Sequence, residues 1–250
     1  SPVADAATRT YAARVTLIKP DSRVQLGMTA KVRFVDGQAS FRDAVPGDLL
    51  WVRDLDSRDQ LAAVLDQAQR SLDIQYYIVH DGLTTRALIR ELLHAADRGV
   101  RVRLLLDDNN TNGMDNILAA LNHHANIEIR LFNPFMNRKW RALGYLTDFP
   151  RLNRRMHNKS LTADNRATIV GGRNIGDEYF NVAGDTVFAD MDVLATGKIV
   201  GEVSQDFDRY WASESAYPLE RVIPKADVAK GMAELNAGGR ENGAVLQRYH

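Results

Sequence analysis

Leu72-Asp-Ile-Gln-Tyr-Tyr-Ile-Val79 and Val100-Arg-Val-Arg-Leu-Leu-Leu106 flank a stretch, residues 83–98, in which Leu88, Leu92, Ala95 and Ala96 recur at helical spacing. The flanking runs have the β-branched, aromatic and leucine content of strands. The second is apolar through its latter half, as a strand covered on both faces would be. Gly99 stands where a helix C-cap favours a left-handed residue. Strand, helix and strand in this order make a crossover unit, and the pattern repeats: residues 113–123 read as a helix and 127–131 as a third strand. Upstream, Leu61, Val64, Leu65 and Ala68 place a helix over 58–70. Downstream, Leu161, residues 167–170 and residues 187–194 read as strands, and 199–212 as a helix presenting Val200, Val203, Phe207, Tyr210 and Trp211. This alternation predicts an α/β fold, layered α/β/α around a mixed, mainly parallel sheet.

Composition sets the outer limits. The chain has 250 residues, no cysteine, and 32 basic residues balanced by 32 acidic ones. Thiolate catalysis, iron–sulfur clusters and a disulfide framework are thereby excluded. Hydrophobic residues at 45% and charged residues at 26% are those of a globular domain rather than a disordered chain. No apolar run is long enough for a transmembrane helix. The first residues, Ser-Pro-Val-Ala-Asp, carry neither a basic-then-apolar leader nor an initiator Met, so a processed or partial piece is expected.

The chemistry concentrates in His157-Asn-Lys159-Ser-Leu-Thr-Ala-Asp164-Asn-Arg-Ala-Thr-Ile-Val-Gly171-Gly172-Arg-Asn174. On a strand, His157 and Lys159 point to one face, so an imidazole and an ammonium converge. Gly171 and Gly172 let backbone approach closely, and Asn174 adds a neutral amide. Lysine and asparagine donors suit the non-bridging oxygens of a phosphate without a metal, and histidine serves as nucleophile or general acid near neutral pH.

These residues resemble the signature of the phospholipase D superfamily. His157, Lys159 and Asp164 match H-x-K-x4-D, and Gly171, Gly172 and Asn174 match its G-G-x-N extension. Ser71–Asp81, Ala95–Asp108, Phe188–Val193 and Phe207–Trp211 resemble segments of bacterial cardiolipin synthase-like members, so the likeness runs over roughly 48–224. The resemblance implies a phospholipase D-like domain and metal-independent cleavage or transfer of a phosphodiester through a phosphohistidine. It implies no cofactor. Carried over, His157 is the nucleophile or the general acid, and Lys159 and Asn174 hold phosphoryl oxygens. Asp190, with Asp192 second, is the acid that orients the imidazole through its far nitrogen. Asp164 belongs to the motif, but reads rather as a structural acceptor than as the chemical base.

The family's site uses two such motifs and this sequence has one: His80, His94, His123, His124 and His250 lack a lysine two residues on. The second motif is expected from a paired copy in a homodimer or, as the cardiolipin synthase-like resemblance favours, from beyond residue 250. Substrate is then an anionic phospholipid at a membrane surface of the bacterial cell envelope. The alternatives are a dimeric single-motif nuclease acting on nucleic acid, and an inert, adaptor-like envelope fragment.

Residues 138–159 hold seven Lys or Arg against Asp148, interleaved with Trp140, Tyr145 and Phe149. They suggest a basic lid over an anionic headgroup or a track for nucleic-acid phosphates, with Arg154 and Arg155 as substrate contacts beside Gly171 and Gly172. A solvated loop is the alternative. Gln75 and Tyr77 share a strand face and line the cleft or simply pack. Asp107-Asp108 at a strand end fits a metal site or, as the preferred reading, a cap and turn pair. Residues 1–40 read as β-strands, and Asp5–Val15 with Leu26–Val32 resemble the β-barrel region of periplasmic adaptor proteins of efflux pumps. Residues 41–224 form the phospholipase D-like domain, and 225–250 are expected to be a loosely structured tail.

Overall fold

The computed structural model describes residues 64–138, 148–180 and 192–246, together with Trp140, Arg141, Gly144, Leu146 and Asp190, with backbone alone over 238–246. The expected N-terminal strands, their adaptor resemblance, the boundary near residue 40 and the start of the helix over 58–70 lie outside the described residues.

Seven strands form one sheet: β1 (Ser71–Tyr76), β2 (Arg101–Asp107), β3 (Ile127–Phe132), β4 (Ser160–Ala163), β5 (Ala167–Gly171), β6 (Asp192–Thr196) and β7 (Ala216–Pro218). Their order is β6-β5-β4-β1-β2-β3-β7. The β1–β2 and β2–β3 pairs are parallel, joined through helices α1 (Leu83–Asp97) and α2 (Asp115–Asn122) as the sequence pattern requires. The remaining neighbour pairs are antiparallel, so the sheet is mixed but not mainly parallel as expected. Connection length explains the difference. Residues 164–166 alone join β4 to β5, and a parallel return needs a crossover of a dozen residues or more. Asp164 and Asn165 take φ of 53° and 54°, the two left-handed residues that a tight primed hairpin turn demands.

The two faces of the sheet differ in chemistry because side chains alternate along each strand. Leu72, Ile74, Val102, Leu104, Ile129, Leu131, Leu161 and Ile169 meet Leu88 and Leu92 of α1 and Ile117, Leu118 and Leu121 of α2 in the main core. The opposite face carries Asp73 and Arg103, adjacent across β1 and β2 and ion-paired at 2.7 Å, and is covered by α4 (Lys198–Trp211). Arg103 reaches on to Asp208 of α4 at 2.8 Å and lies over the Phe207 ring, so its charge is bonded while its stem packs. Phe207 and Trp211 join Leu105, Phe132, Met156 and Ala216 in a second, smaller core. These layers are the α/β/α arrangement that the alternation predicts.

Helix α1 begins without a side-chain cap of its own; the carboxylate of Asp177 accepts the Leu83 and Thr84 amides at 3.0 and 2.7 Å. It ends at Gly99, whose φ of 90° is the left-handed C-cap the sequence suggested. Two short helices, α3 (Phe149–Leu152) and α5 (Leu219–Val222), fill connections. Residues expected as a loose tail form helix α6 (Val228–Leu246), packed on α2. Gly231 permits that approach: a Cβ there would stand 2.0 Å from the Asn116 carbonyl oxygen. Weak periodicity hid this helix because the small residue that matters is a contact, not part of an apolar stripe.

Candidate active site

The motif residues meet where β1 ends and β4 begins, two points made adjacent by the antiparallel β1–β4 pairing of Gln75 with Ser160. β4 starts only at Ser160, so His157 and Lys159 lie just before the strand rather than on it. They converge nonetheless. Lys159 Nζ donates to the His157 carbonyl at 3.0 Å and stands 3.2 and 3.4 Å from Nδ1 and Nε2, between the two ring nitrogens rather than in line with one. Tyr77, just past β1, completes the cluster: its ring is 4.6 Å from the imidazole and 5.4 Å from the ammonium. His157 is exposed while Lys159 is 8% exposed, so the imidazole reaches solvent over a shielded cation. Burial pushes the Lys159 ammonium below its usual range, and the carboxylates of Asp190 and Asp192 pull it back up.

The far wall comes from the glycine motif. Asn174 is buried and bridges two segments: its Oδ1 accepts the Ile78 amide at 3.1 Å and its Nδ2 donates to the Tyr179 hydroxyl at 3.1 Å, leaving one N–H of the amide. Gly172 lets a carboxylate sit close, for a Cβ there would lie 2.6 Å from Asp190 Oδ1. Gly171 pairs with Asp192 at the end of β5. Asp190 thus lies against the motif backbone and within electrostatic reach of Lys159, but among the described residues no hydrogen bond joins it to His157. Asp192 is committed elsewhere: it accepts the Arg173 amide at 3.2 Å and its guanidinium at 3.1 Å. Burial raises the Asp192 carboxyl above its usual range despite that partner.

Arg173 and Tyr179 are the site residues that sequence reasoning missed. Arg173 is buried, spanning Asp192, the Asp190 carbonyl at 2.9 Å and the Tyr179 carbonyl at 2.5 Å. It occupies the unspecified position of G-G-x-N, so the motif itself carried no signal for it.

Asp164 follows its structural-acceptor reading, Gln75 follows the packing alternative, and Arg155 and the basic stretch depart from expectation. Asp164 is at the opposite end of β4 from His157, where its carboxylate accepts the amides of Gln69, Arg70 and Ser71 at 3.0, 2.7 and 2.9 Å. It pins the β4–β5 turn to the start of β1 and takes no part at the histidine. Arg155 is committed within the chain: it donates to Asp107 at 2.9 Å, to the Leu152 carbonyl at 2.7 Å and to the Asn133 carbonyl at 2.8 Å. Arg154 alone of the pair is exposed. Gln75 lies beneath the site, bonded through Nε2 to Ser160 Oγ at 3.0 Å, with its buried Oε1 unpartnered. The basic stretch is mostly neutralised: Arg138 bonds Asp108 and Asp115, Arg141 bonds Asp108, and Arg151 bonds Asp148.

Asp107 and Asp108 follow their cap-and-turn reading. Asp107 accepts the Asn109 and Met156 amides at 2.9 and 2.8 Å, and Asp108 accepts the Phe135 amide at 2.7 Å. With the arginines and the Thr111 hydroxyl added, both carboxylates are fully engaged by the chain itself. Burial raises Asp107 above the usual carboxylate range, and Arg155 with the two amides pulls it down.

The family described as cardiolipin synthase, phospholipase D-like domain matches residues 61–211, a stretch that contains β1 to β6, α1 to α4 and the whole His157–Asn174 motif. The chain belongs to this family. Cardiolipin synthase C of Escherichia coli is 52% identical over 198 residues, covering 77% of this chain and 41% of that protein. Cardiolipin synthase A of Pseudomonas putida is 27% identical, covering 67% of this chain and 34% of that protein. This phospholipase D-like chain therefore spans well under half the length of the curated relatives it matches. Among solved structures, the phospholipase D family member Nuc of Salmonella typhimurium aligns at a TM-score of 0.46 and 19% identity, covering 64% of this chain and 89% of that one.

Proposed function

We propose that this domain is half of a phosphatidyl-transferring site in which His157 acts directly on phosphorus or on the leaving oxygen. The observation that carries the reading is the His157–Lys159–Tyr77 cluster: an exposed imidazole held over a shielded ammonium, at the edge of a glycine-lined wall. Lys159 and the remaining Asn174 N–H supply donors for non-bridging phosphoryl oxygens, which gain charge-assisted bonds as negative charge develops. In the attacking role, an imidazole nitrogen forms a bond to phosphorus while the bond to the alcohol breaks, giving a phosphohistidine. The departing alkoxide takes a proton from the histidine of the second motif, and a second alcohol or water then displaces the phosphatidyl group. Asp190 acts through Lys159 and the motif backbone, fixing the charge balance of the pocket. Phospholipid is favoured over nucleic acid because the relatives over 77% and 67% of the chain bear the name cardiolipin synthase. The second motif is supplied by further chain or by a second copy. In the envelope this places the site against a membrane, although no helix among the described residues is long and apolar enough to cross one.

The test is chemical trapping. Phosphatidylglycerol labelled at phosphorus is mixed with the protein and quenched in alkali. An acid-labile, alkali-stable label on His157, absent from His157→Asn, is expected. Transfer activity that survives unchanged in His157→Asn removes the proposal.

A further inference from the structure

The segment between β3 and β4 has two sides. Its inner side is tied to the sheet: Phe135 is buried beneath Arg141 and Arg155, each 5.4 Å from its ring, and Leu152 is buried against Gly144. Asn133 closes the base by donating to the carbonyls of Arg151 and Arg154 at 3.2 and 2.5 Å. The outer side is apolar and faces solvent, with Met136 62%, Trp140 67%, Leu146 82% and Phe149 54% exposed. Among the described residues, Met232 is the one large hydrophobic exposed elsewhere. Such a concentration on a single segment marks a surface for an apolar partner.

The segment leaves the C-terminal end of β3 and returns to the N-terminal end of β4, so both its roots are at the sheet end that holds His157 and Tyr77. Charge identifies the partner. The six basic residues over 136–155, set against Asp148 and the bracing Asp107, Asp108 and Asp115, leave a net charge of +2. Arg154 is exposed at the foot of the segment, and Lys139 precedes Trp140 in sequence. Tryptophan, phenylalanine and leucine interleaved with cations are the composition of an element that sits at a bilayer interface.

We infer that the exposed side chains of Met136, Trp140, Leu146 and Phe149 dock the domain on an anionic phospholipid bilayer, placing Trp140 and Leu146 among the acyl chains and Arg154 at headgroup level. The surface deepens the phospholipid reading by naming the membrane contact of the same site, yet its test does not depend on turnover. The double variant Trp140→Ser/Leu146→Ser and the control Met232→Ser are compared by co-sedimentation with vesicles of phosphatidylethanolamine and phosphatidylglycerol, all in a His157→Ala background. The double variant is expected to lose roughly tenfold or more in vesicle affinity, and Met232→Ser none. Arg154→Gln is expected to lose about fivefold on these vesicles and nothing on neutral phosphatidylcholine. Emission assigned to Trp140 by difference from Trp140→Phe should shift to the blue and be quenched by brominated acyl chains. Unchanged vesicle binding by the double variant overturns the inference. So does a lipid-free oligomer that the double variant abolishes, because the surface would then serve a second copy. Vesicle binding through this surface, with no label on a histidine when the protein retaining His157 is given labelled phosphatidylglycerol, overturns the catalytic proposal alone.

Discussion

Under the proposed function, Lys159 serves chemistry at the expense of the fold. Its ammonium is shielded from water, and burial makes the charged form costly, so its proton is held less firmly than in the unfolded chain. The unfolded state then binds more protons in the interval below the ordinary lysine value of 10.5, and stability rises with pH there. Lys159→Met is therefore expected to raise the urea midpoint at pH 7 while removing phosphoryl binding. That advantage should shrink as pH approaches 10.5, because the wild type sheds its charge. A variant less stable than wild type at pH 7 would mean that the bond to the His157 carbonyl outweighs desolvation. Asp164 makes the opposite case, a motif residue whose work is architectural. Asp164→Ala leaves three amides without their acceptor and is expected to cost about 1.5–3 kcal/mol in denaturant unfolding. The sequence presents both residues as members of one motif. Spacing along the chain does not reveal that β4 separates them, so the structural role expected of Asp164 had no location until its three amide partners were seen.

At the scale of elements, the segment joining β3 to β4 is held by ion pairs that look alike in sequence. Arg154 and Arg155 are neighbours, yet one is exposed and the other serves a carboxylate whose side chain is fully buried. Arg155→Ala is expected to destabilise by about 3–5 kcal/mol because it strands the Asp107 charge. Arg154→Ala should stay within about 0.5 kcal/mol; paired thermal melts decide it. Helix α6 offers a second check. Gly231→Ala is expected to cost about 1–3 kcal/mol and to increase amide exchange in α6 and α2 together, since the new methyl would meet the Asn116 carbonyl. The elements legible in advance, α1, β2, α2 and β3, are those with a periodic apolar pattern long enough to read. In the antiparallel half the strands were legible but their direction was not, because direction depends on loop length. Tyr77 was legible as a cleft residue, whereas Gln75, two residues away on the same face, turned out to brace Ser160 beneath the site.

At the scale of the whole molecule, one histidine motif sits in a chain covering 41% of Cardiolipin synthase C, so completion of the site is a question of stoichiometry. Equal amounts of wild type and His157→Asn are expected to show half the activity if further chain completes each site. A fall to about a quarter would identify sites shared between two copies. The net charge of zero conveys nothing of this, because most of the cations that crowd the approach to His157 are spent on the chain's own acids.

That internal pairing also fixes the segment in place. Swinging the segment outward would strip arginines from the buried Asp107 and Asp108, at about 4 kcal/mol for even one such charge, so the opened form would be rarer than about one molecule in a thousand. Traffic to His157 should therefore not be gated by this segment. Its rate is expected to be insensitive to solvent viscosity at saturating substrate, with residence on the substrate-bearing surface, rather than an opening step, setting the tempo.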